Sequence, residues 1–336
     1  MIKYIGSKRT LVPRLLGMVS ELPEVRRVLD VFSGTSRVGH ALKRAGYQVF
    51  ANDHNAYAAL LARAYVQADA PDVLRDARRL VREFNRLPGA PGYFTDTFCE
   101  QSRFFQPKNG ARVDAIREAI HARCLTPELE AVMLVSLMEA ADRVDSTTGV
   151  QMAYLKTWAA RSHNDLELRV PDVLPRAAAG KGHASQFDAL EAAAAFPVDL
   201  AYLDPPYNQH KYLGNYHIWE SLVRWDKPEV YGVARKRVDC RSRSSAFNSR
   251  PMFRQTMEKL VATIQARWLL VSFNDEGYLS SAELESILSS RGPVRRVDVD
   301  FKRYVGAQIG IHNPAGERVG EVGRLRNVEF LFLVGE

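Results

Sequence analysis

Cysteine is scarce in this chain: Cys99, Cys124 and Cys240 are the three among 336 residues. No two have Cys-x-x-Cys spacing and none joins a histidine cluster, so neither a zinc site nor a disulfide framework is indicated. No apolar run approaches the length of a membrane span. The first residues, MIKYIGSKRTLVPRLL, lack the apolar core and small-residue cleavage site of a signal peptide. A soluble protein of the bacterial or archaeal cytoplasm, with no membrane partner, is expected. Also missing are the Gly-x-Gly-x-x-Gly fingerprint and the lysine of a Walker loop, which disfavours dinucleotides and triphosphates. The eight histidines form no nucleophile–His–acid arrangement, and His210 stands alone.

What is present is ordinary for a globular protein: 46% hydrophobic and 25% charged residues, enough to bury a sizeable core. The net charge of +7 favours a polyanionic partner, nucleic acid being the commonest.

Residues 28–32 form a short apolar run that enters the turn Ser33-Gly34-Thr35, and residues 37–44 read as a helix ended by Gly46. A second strand over residues 47–51 is closed by Asn52-Asp53, and residues 56–67 are Ala/Leu-rich and helical. This alternation predicts a parallel sheet with helices on its faces, an α/β Rossmann-like arrangement. From about residue 72 to 175 strand signals fade, and helices are predicted over 72–85, 109–123 and 127–143. The sheet resumes at 198–203 and 268–273, and two further strands at 294–304 and 328–334 flank a tip at Asn313-Pro314-Ala315-Gly316. The expected division is a catalytic domain of residues 1–71 and 176–336 around a mostly helical insert, 72–175.

Ligands of open α/β sheets bind beyond the carboxyl ends of the strands. The first such end is Asp30-Val31-Phe32-Ser33-Gly34-Thr35, where a glycine lets backbone approach a ligand. The second, Asn52-Asp53, brings a carboxylate able to accept both hydroxyls of a ribose. Together they suit an adenosine-containing cofactor. The third is Asp204-Pro205-Pro206-Tyr207. Its prolines fix the backbone and supply no N–H donors, leaving the Asp204 carboxylate and the Pro205 carbonyl as acceptors facing the crevice. Two acceptors on the hydrogens of a planar amino group favour the tetrahedral nitrogen that attacks a methyl-cation equivalent. Tyr207 offers a face for base stacking. Such a base must leave the duplex to be reached.

These motifs, in this order, resemble the Dam-like N6-adenine DNA methyltransferases, and the resemblance covers most of the chain. It implies S-adenosylmethionine as cofactor and adenine in double-stranded DNA as substrate. Lys3-Tyr4-Ile5-Gly6-Ser7-Lys8 resembles the family's N-terminal motif, which implies Tyr4 and Lys8 beside the cofactor. Asp30, Phe32, Ser33, Gly34 and Thr35 match its methionine-binding turn and Asp53 its ribose-binding acid; Asp204 belongs to both site and cofactor pocket. Ser185-Gln186-Phe187 resembles the short Asp-Phe motif ahead of the catalytic strand; Phe187 would flank the cofactor's adenine, and Gln186 departs from the pattern. The stretch 72–175 is implied to carry target recognition, with Arg143, Lys156, Trp158 and Arg161 as candidate DNA readers. The resemblance also implies a restriction–modification or related defence system, with a cognate restriction endonuclease as candidate partner.

After the catalytic motif come Arg235, Lys236, Arg237, Arg241, Arg243, Arg250 and Arg254, with Asp239 as sole opposing charge in the stretch. This is expected to be a loop contacting phosphates, chiefly through Arg237, Arg241 and Arg243. Phe301-Lys302-Arg303-Tyr304, also basic and aromatic, fits the end of the sheet better. Two alternatives stay open: a methyltransferase acting on cytosine N4 or RNA adenine, and a catalytically silent DNA-binding protein on the same scaffold.

Overall fold

Buried apolar strands alternating with one-sided helices leave one economical packing, a sheet covered on both faces. In the computed structural model, which describes residues 1–209, 211–302 and 326–335, a seven-stranded sheet forms in that way. Its strands are β1 (Arg27–Asp30), β2 (Gln48–Asn52), β3 (His183–Ser185), β4 (Val198–Leu203), β7 (Ala266–Asn274), β8 (Val294–Lys302) and β9 (Arg326–Val334). A separate two-stranded ladder joins β5 (Val230–Tyr231) and β6 (Lys236–Arg237). The main sheet runs β3-β2-β1-β4-β7-β9-β8. The β3, β2, β1, β4 and β7 strands are mutually parallel, and β9 is antiparallel to both β7 and β8.

On one face, helices Val12–Ser20 and Arg37–Arg44 bury Leu15, Met18, Val38 and Leu42 against Val28, Leu200 and Leu270. On the other, Ala189–Ala195, Arg250–Thr263 and Ser281–Leu288 cover Leu29, Ala201 and Val271. Two of these helices start at full capping boxes, Asp188 with Glu191 and Ser280 with Glu283, which satisfy amides otherwise left bare at a helix start.

The predicted helices of the middle section form as Ala70–Phe84, Pro107–Ala122 and Pro127–Arg143. They do not keep a core to themselves. Val113, Ile116, Leu134 and Met138 share one buried cluster with Tyr57, Leu61 and Tyr65 and with Ile218 and Leu222. The first of these helices also crosses residue 71, so the boundary expected there runs through continuous packing rather than a linker.

Several elements go beyond expectation, among them β3, the helices Val12–Ser20, His217–Arg224 and Ser281–Leu288, and a helix within the basic stretch. The β3 strand escaped notice because three residues carry no readable period. Residues 250–263, the first five of which fell in the expected basic loop, form a helix. Phe253, Met257, Leu260 and Val261 recur at its buried side, while Arg250 and Arg254 mask that period in the sequence. His210, Arg303, Tyr304 and the tip at residues 313–316 lie outside the described residues. Among the described residues no helix is long and apolar enough to cross a membrane.

Candidate active site

The β1–β2 register pairs Asp30 with Ala51, and the β1–β4 register pairs Asp30 with Tyr202, so the carboxyl ends of these strands lie level. One cleft opens there. Its wall includes Tyr4, Lys8, Asp30, Phe32, Ser33, Gly34, Thr35, Asp53, Phe187, Asp204 and Pro206. Residues scattered from position 4 to 206 thus meet at one edge.

After β1 the chain turns sharply, with Gly34 at φ 50° and Ser36 at φ 58°, before helix Arg37–Arg44. A left-handed conformation suits glycine at position 34, and a Cβ there would also touch the Tyr4 ring at 3.4 Å. The Gly34 N–H donates to Asp53 Oδ2 at 3.0 Å, and the Asn55 N–H donates to Asp53 Oδ1 at 2.9 Å. Burial raises the Asp53 carboxyl above its usual range, with these two amides opposing the shift. Asn52 serves the scaffold: its side chain bonds the Val31 carbonyl and both backbone groups of Phe187, joining the two turns.

Asp30 is 1% exposed, and neither carboxylate oxygen has a hydrogen-bond partner of regular geometry. Burial, reinforced by the charges of Asp204 and Asp53, pushes its pKa up to about 8; the Gly39 amide works weakly the other way. A buried acceptor without a donor is costly. The Ser33 hydroxyl beside it is likewise unpartnered.

Asp204 follows β4 and pairs with the buried Lys8 ammonium at 3.0 Å. Burial raises the Asp204 pKa to about 6, with Lys8 pulling it down and Glu329 adding to the rise. Burial would lower Lys8, but Asp204 and Glu329 outweigh it and hold the ammonium well above its ordinary value. Glu329 lies on β9 and also contacts Lys8 directly. Sequence reasoning missed it; the available signal was a lone acid in the apolar run Val328-Glu329-Phe330-Leu331-Phe332.

The N-terminal segment is pinned rather than frayed. The Lys3 ammonium donates to the Asp142 carbonyl and to Asp145, and the Ile5 N–H donates to the Tyr216 hydroxyl. Tyr4 stacks on Tyr216 at 4.6 Å and on Tyr212 at 5.3 Å, an aromatic group that sequence reasoning had reduced to Tyr4 alone. Pro206 and Tyr212 wall the cleft, while Tyr207 stands edge-on to Phe273 at 5.6 Å. Phe187 is 41% exposed at the rim. Gln186, the departing position, is turned to the His54 carbonyl at 3.3 Å.

The DNA candidates divide. Lys156 and Arg241 are exposed, and the Arg241 guanidinium lies 4.0 Å from the Tyr231 ring centre. Arg237 is a correction: it is 2% exposed and bonds Asp226 bidentately at 2.7 and 2.8 Å and Asp239 at 3.0 Å. Asp226 lies upstream of the stretch, so local composition hid this pairing. Arg243 bonds the fully buried Glu220 at 2.8 Å and lines the cleft instead of an outer face. In the helical section, Arg161 braces Asp145 at 2.7 Å, and Arg143 donates to the Glu167 carbonyl at 2.5 Å. Trp158 lies under the Arg103 guanidinium at 4.8 Å.

Comparison with known proteins agrees with this geometry. Residues 4–274 match the model of the D12 class N6 adenine-specific DNA methyltransferases. The chain is 29% identical over 310 residues to the Type II methyltransferase M.FokI of Planomicrobium okeanokoites, covering 87% of this chain and 47% of that protein. It is 27% identical over 327 residues to the modification methylase StsI of Streptococcus sanguinis, covering 92% of this chain and 50% of the relative. Against the Type II methyltransferase M.NlaIII of Neisseria lactamica it is 28% identical over 316 residues, covering 90% of this chain and 92% of the other. It therefore spans about half the length of the first two relatives and nearly all of the third. With a family match running from the cleft's Tyr4 through Asn274 at the end of β7, the chain belongs to the D12 class N6 adenine-specific DNA methyltransferase family.

Proposed function

We propose that this protein transfers a methyl group from S-adenosylmethionine to N6 of adenine in double-stranded DNA, as the modification enzyme of a restriction–modification system. The observation that carries this reading is the cleft in which an unpartnered, buried Asp30 stands beside an Asp204 held by Lys8.

The residues fit the cofactor's chemistry. Asp30 suits the ammonium of its methionine part, since it is buried and no hydrogen bond of regular geometry satisfies it. Asp53, fixed by two backbone amides, suits its ribose hydroxyls. Phe187 at the rim suits the flat face of its adenine. When bound, S-adenosylmethionine supplies an electrophilic methyl group.

The acceptor site is built by this chain. Asp204, ionised at neutral pH because its pKa is about 6, accepts one hydrogen of the substrate amino group. The Pro205 carbonyl accepts the other, since the proline pair leaves no competing N–H. The nitrogen lone pair, withdrawn into the purine in free adenine, is then favoured as a nucleophile. Adenine reaches this position only after flipping out of the duplex, and the cleft wall at Pro206 and Tyr212 suits the extruded base. Target recognition is assigned to the helical section 72–175, and phosphate contact to exposed cations such as Lys156 and Arg241.

Incubation with methylation-free DNA and methyl-deuterated cofactor, followed by nucleoside mass spectrometry, tests this reading. Deuterated N6-methyladenine is expected. Label in N4-methylcytosine would replace the substrate assignment, and unlabelled DNA would overturn it.

A further inference from the structure

One buried group stays outside the mechanism above. Glu329 is 3% exposed and lies 321 residues from the lysine it contacts. It reaches the site because β9 runs opposite to its neighbours. In the β7–β9 register Glu329 pairs with Asn274, the last residue of β7, so the early part of β9 meets the carboxyl edge. Both its oxygens are engaged: Oε1 accepts the Ser272 hydroxyl at 2.7 Å and the Lys8 ammonium, and Oε2 accepts the Asn274 amide at 3.2 Å. The carboxylate is therefore rigid. Sheet packing does not need it, since its neighbours along the strand are Val328 and Phe330 and burying a carboxylate is costly unless paired.

We propose that Glu329 is a positioning residue for methyl transfer: it holds Lys8 between two carboxylates, so that Asp204 is oriented by the ammonium without being neutralised by it. The inference rests on the methyltransferase reading given above. One ammonium shared by Asp204 and Glu329 leaves the group with a net negative charge. That charge keeps Asp204 a strong acceptor. A Lys8–Asp204 pair alone would be neutral, and the ammonium would compete with the substrate amino group for the same carboxylate. The other groups facing Asp204 are Asp30 from β1, Tyr202 from β4, Tyr207 from the catalytic turn and Tyr212 from the cleft wall. None of them contributes a cation.

The test measures methyl transfer to unmethylated plasmid at saturating cofactor between pH 5 and 8, for the full chain and for Glu329→Gln and Glu329→Asp. For Glu329→Gln, kcat is expected to fall about tenfold with KM values for DNA and cofactor within about twofold. Its acid limb is expected to move to lower pH, because the charge that raised Asp204 is gone. Glu329→Asp keeps that charge but draws it back, so kcat falls and the limb moves part of the way to lower pH. An unchanged kcat in both folded variants overturns the proposal. So does a reduced kcat in Glu329→Gln with the limb unmoved, the mark of a merely structural acid. If Glu329→Gln does not fold, Glu329→Asp decides: reduced kcat with the limb moved to lower pH supports the role, and an unchanged kcat or an unmoved limb overturns it. Absence of transfer by the unaltered protein would instead defeat the methyltransferase reading.

Discussion

At the carboxyl edge of the sheet, Asp30 is buried without a partner, and Asp53 and Asp204 are held by backbone amides or Lys8 while still lining the cleft. In the basic segment after the catalytic strand, Arg237, Arg243 and Arg254 are occupied by Asp226, Glu220 and Glu283. Both regions are dense in charge, but the first holds incompletely satisfied groups and the second mostly satisfied ones. Composition describes the two alike. Only the first presents to the cleft an acid whose hydrogen-bonding capacity the chain leaves unfilled, which is where perturbed titration concentrates.

The contrast can be broken or sharpened by mutation. The largest effect is expected from Asp204→Ala, which should lower methyl transfer by about three orders of magnitude, measured in single turnover, with cofactor affinity largely kept. A loss confined to cofactor binding would merge Asp204 with the pocket acids. Next, Asp30→Asn should weaken cofactor binding by about a hundredfold in calorimetry, since the cationic group loses its counter-charge. The same variant should melt higher than the unaltered protein without cofactor. The sign follows from the raised pKa: the acid favours folding fully below its ordinary value, and that contribution is lost as pH rises toward about 8. The gap in melting temperature should thus widen from pH 5 to 8; a constant gap would mean that Asp30 does not titrate there. Arg237→Ala, in the satisfied region, should cost about 2 kcal/mol in urea unfolding by leaving Asp226 and Asp239 without their shared cation. Its DNA affinity per folded molecule should be unchanged. The smallest effect is expected from Arg241→Glu, which should weaken DNA binding at all sequences and reduce the salt slope by about one to two. An unchanged slope there would remove Arg241 as a phosphate contact.

Most of the parallel half of the fold was legible in the sequence because β1, β2, β4 and β7, unlike the three-residue β3, are apolar runs ending in a turn with a polar residue. Residues 37–44 and 198–203 were read to the residue. The cleft residues were legible for the same reason: a strand end announces its position without knowledge of contacts. Glu329 was not, because an antiparallel return strand brings its early residues, not its last, to the carboxyl edge, and strand direction is a property of the whole sheet. The pairing of Arg237 with Asp226 was hidden because it depends on the β5–β6 turn folding back on residues eleven positions earlier. Tyr216 and Tyr212 read as unremarkable until the N-terminal segment was seen to stack Tyr4 on them. In each case what was missed is a contact between distant segments, while what was read is local.

The most direct measurement is single-molecule sequencing of a methylation-free plasmid after incubation with S-adenosylmethionine and either the unaltered protein or Asp204→Asn. The carboxyl-edge account expects N6-methyladenine at one short recurring sequence with the former and none with the latter. Modification that persists in Asp204→Asn, or that falls on cytosine, would contradict it.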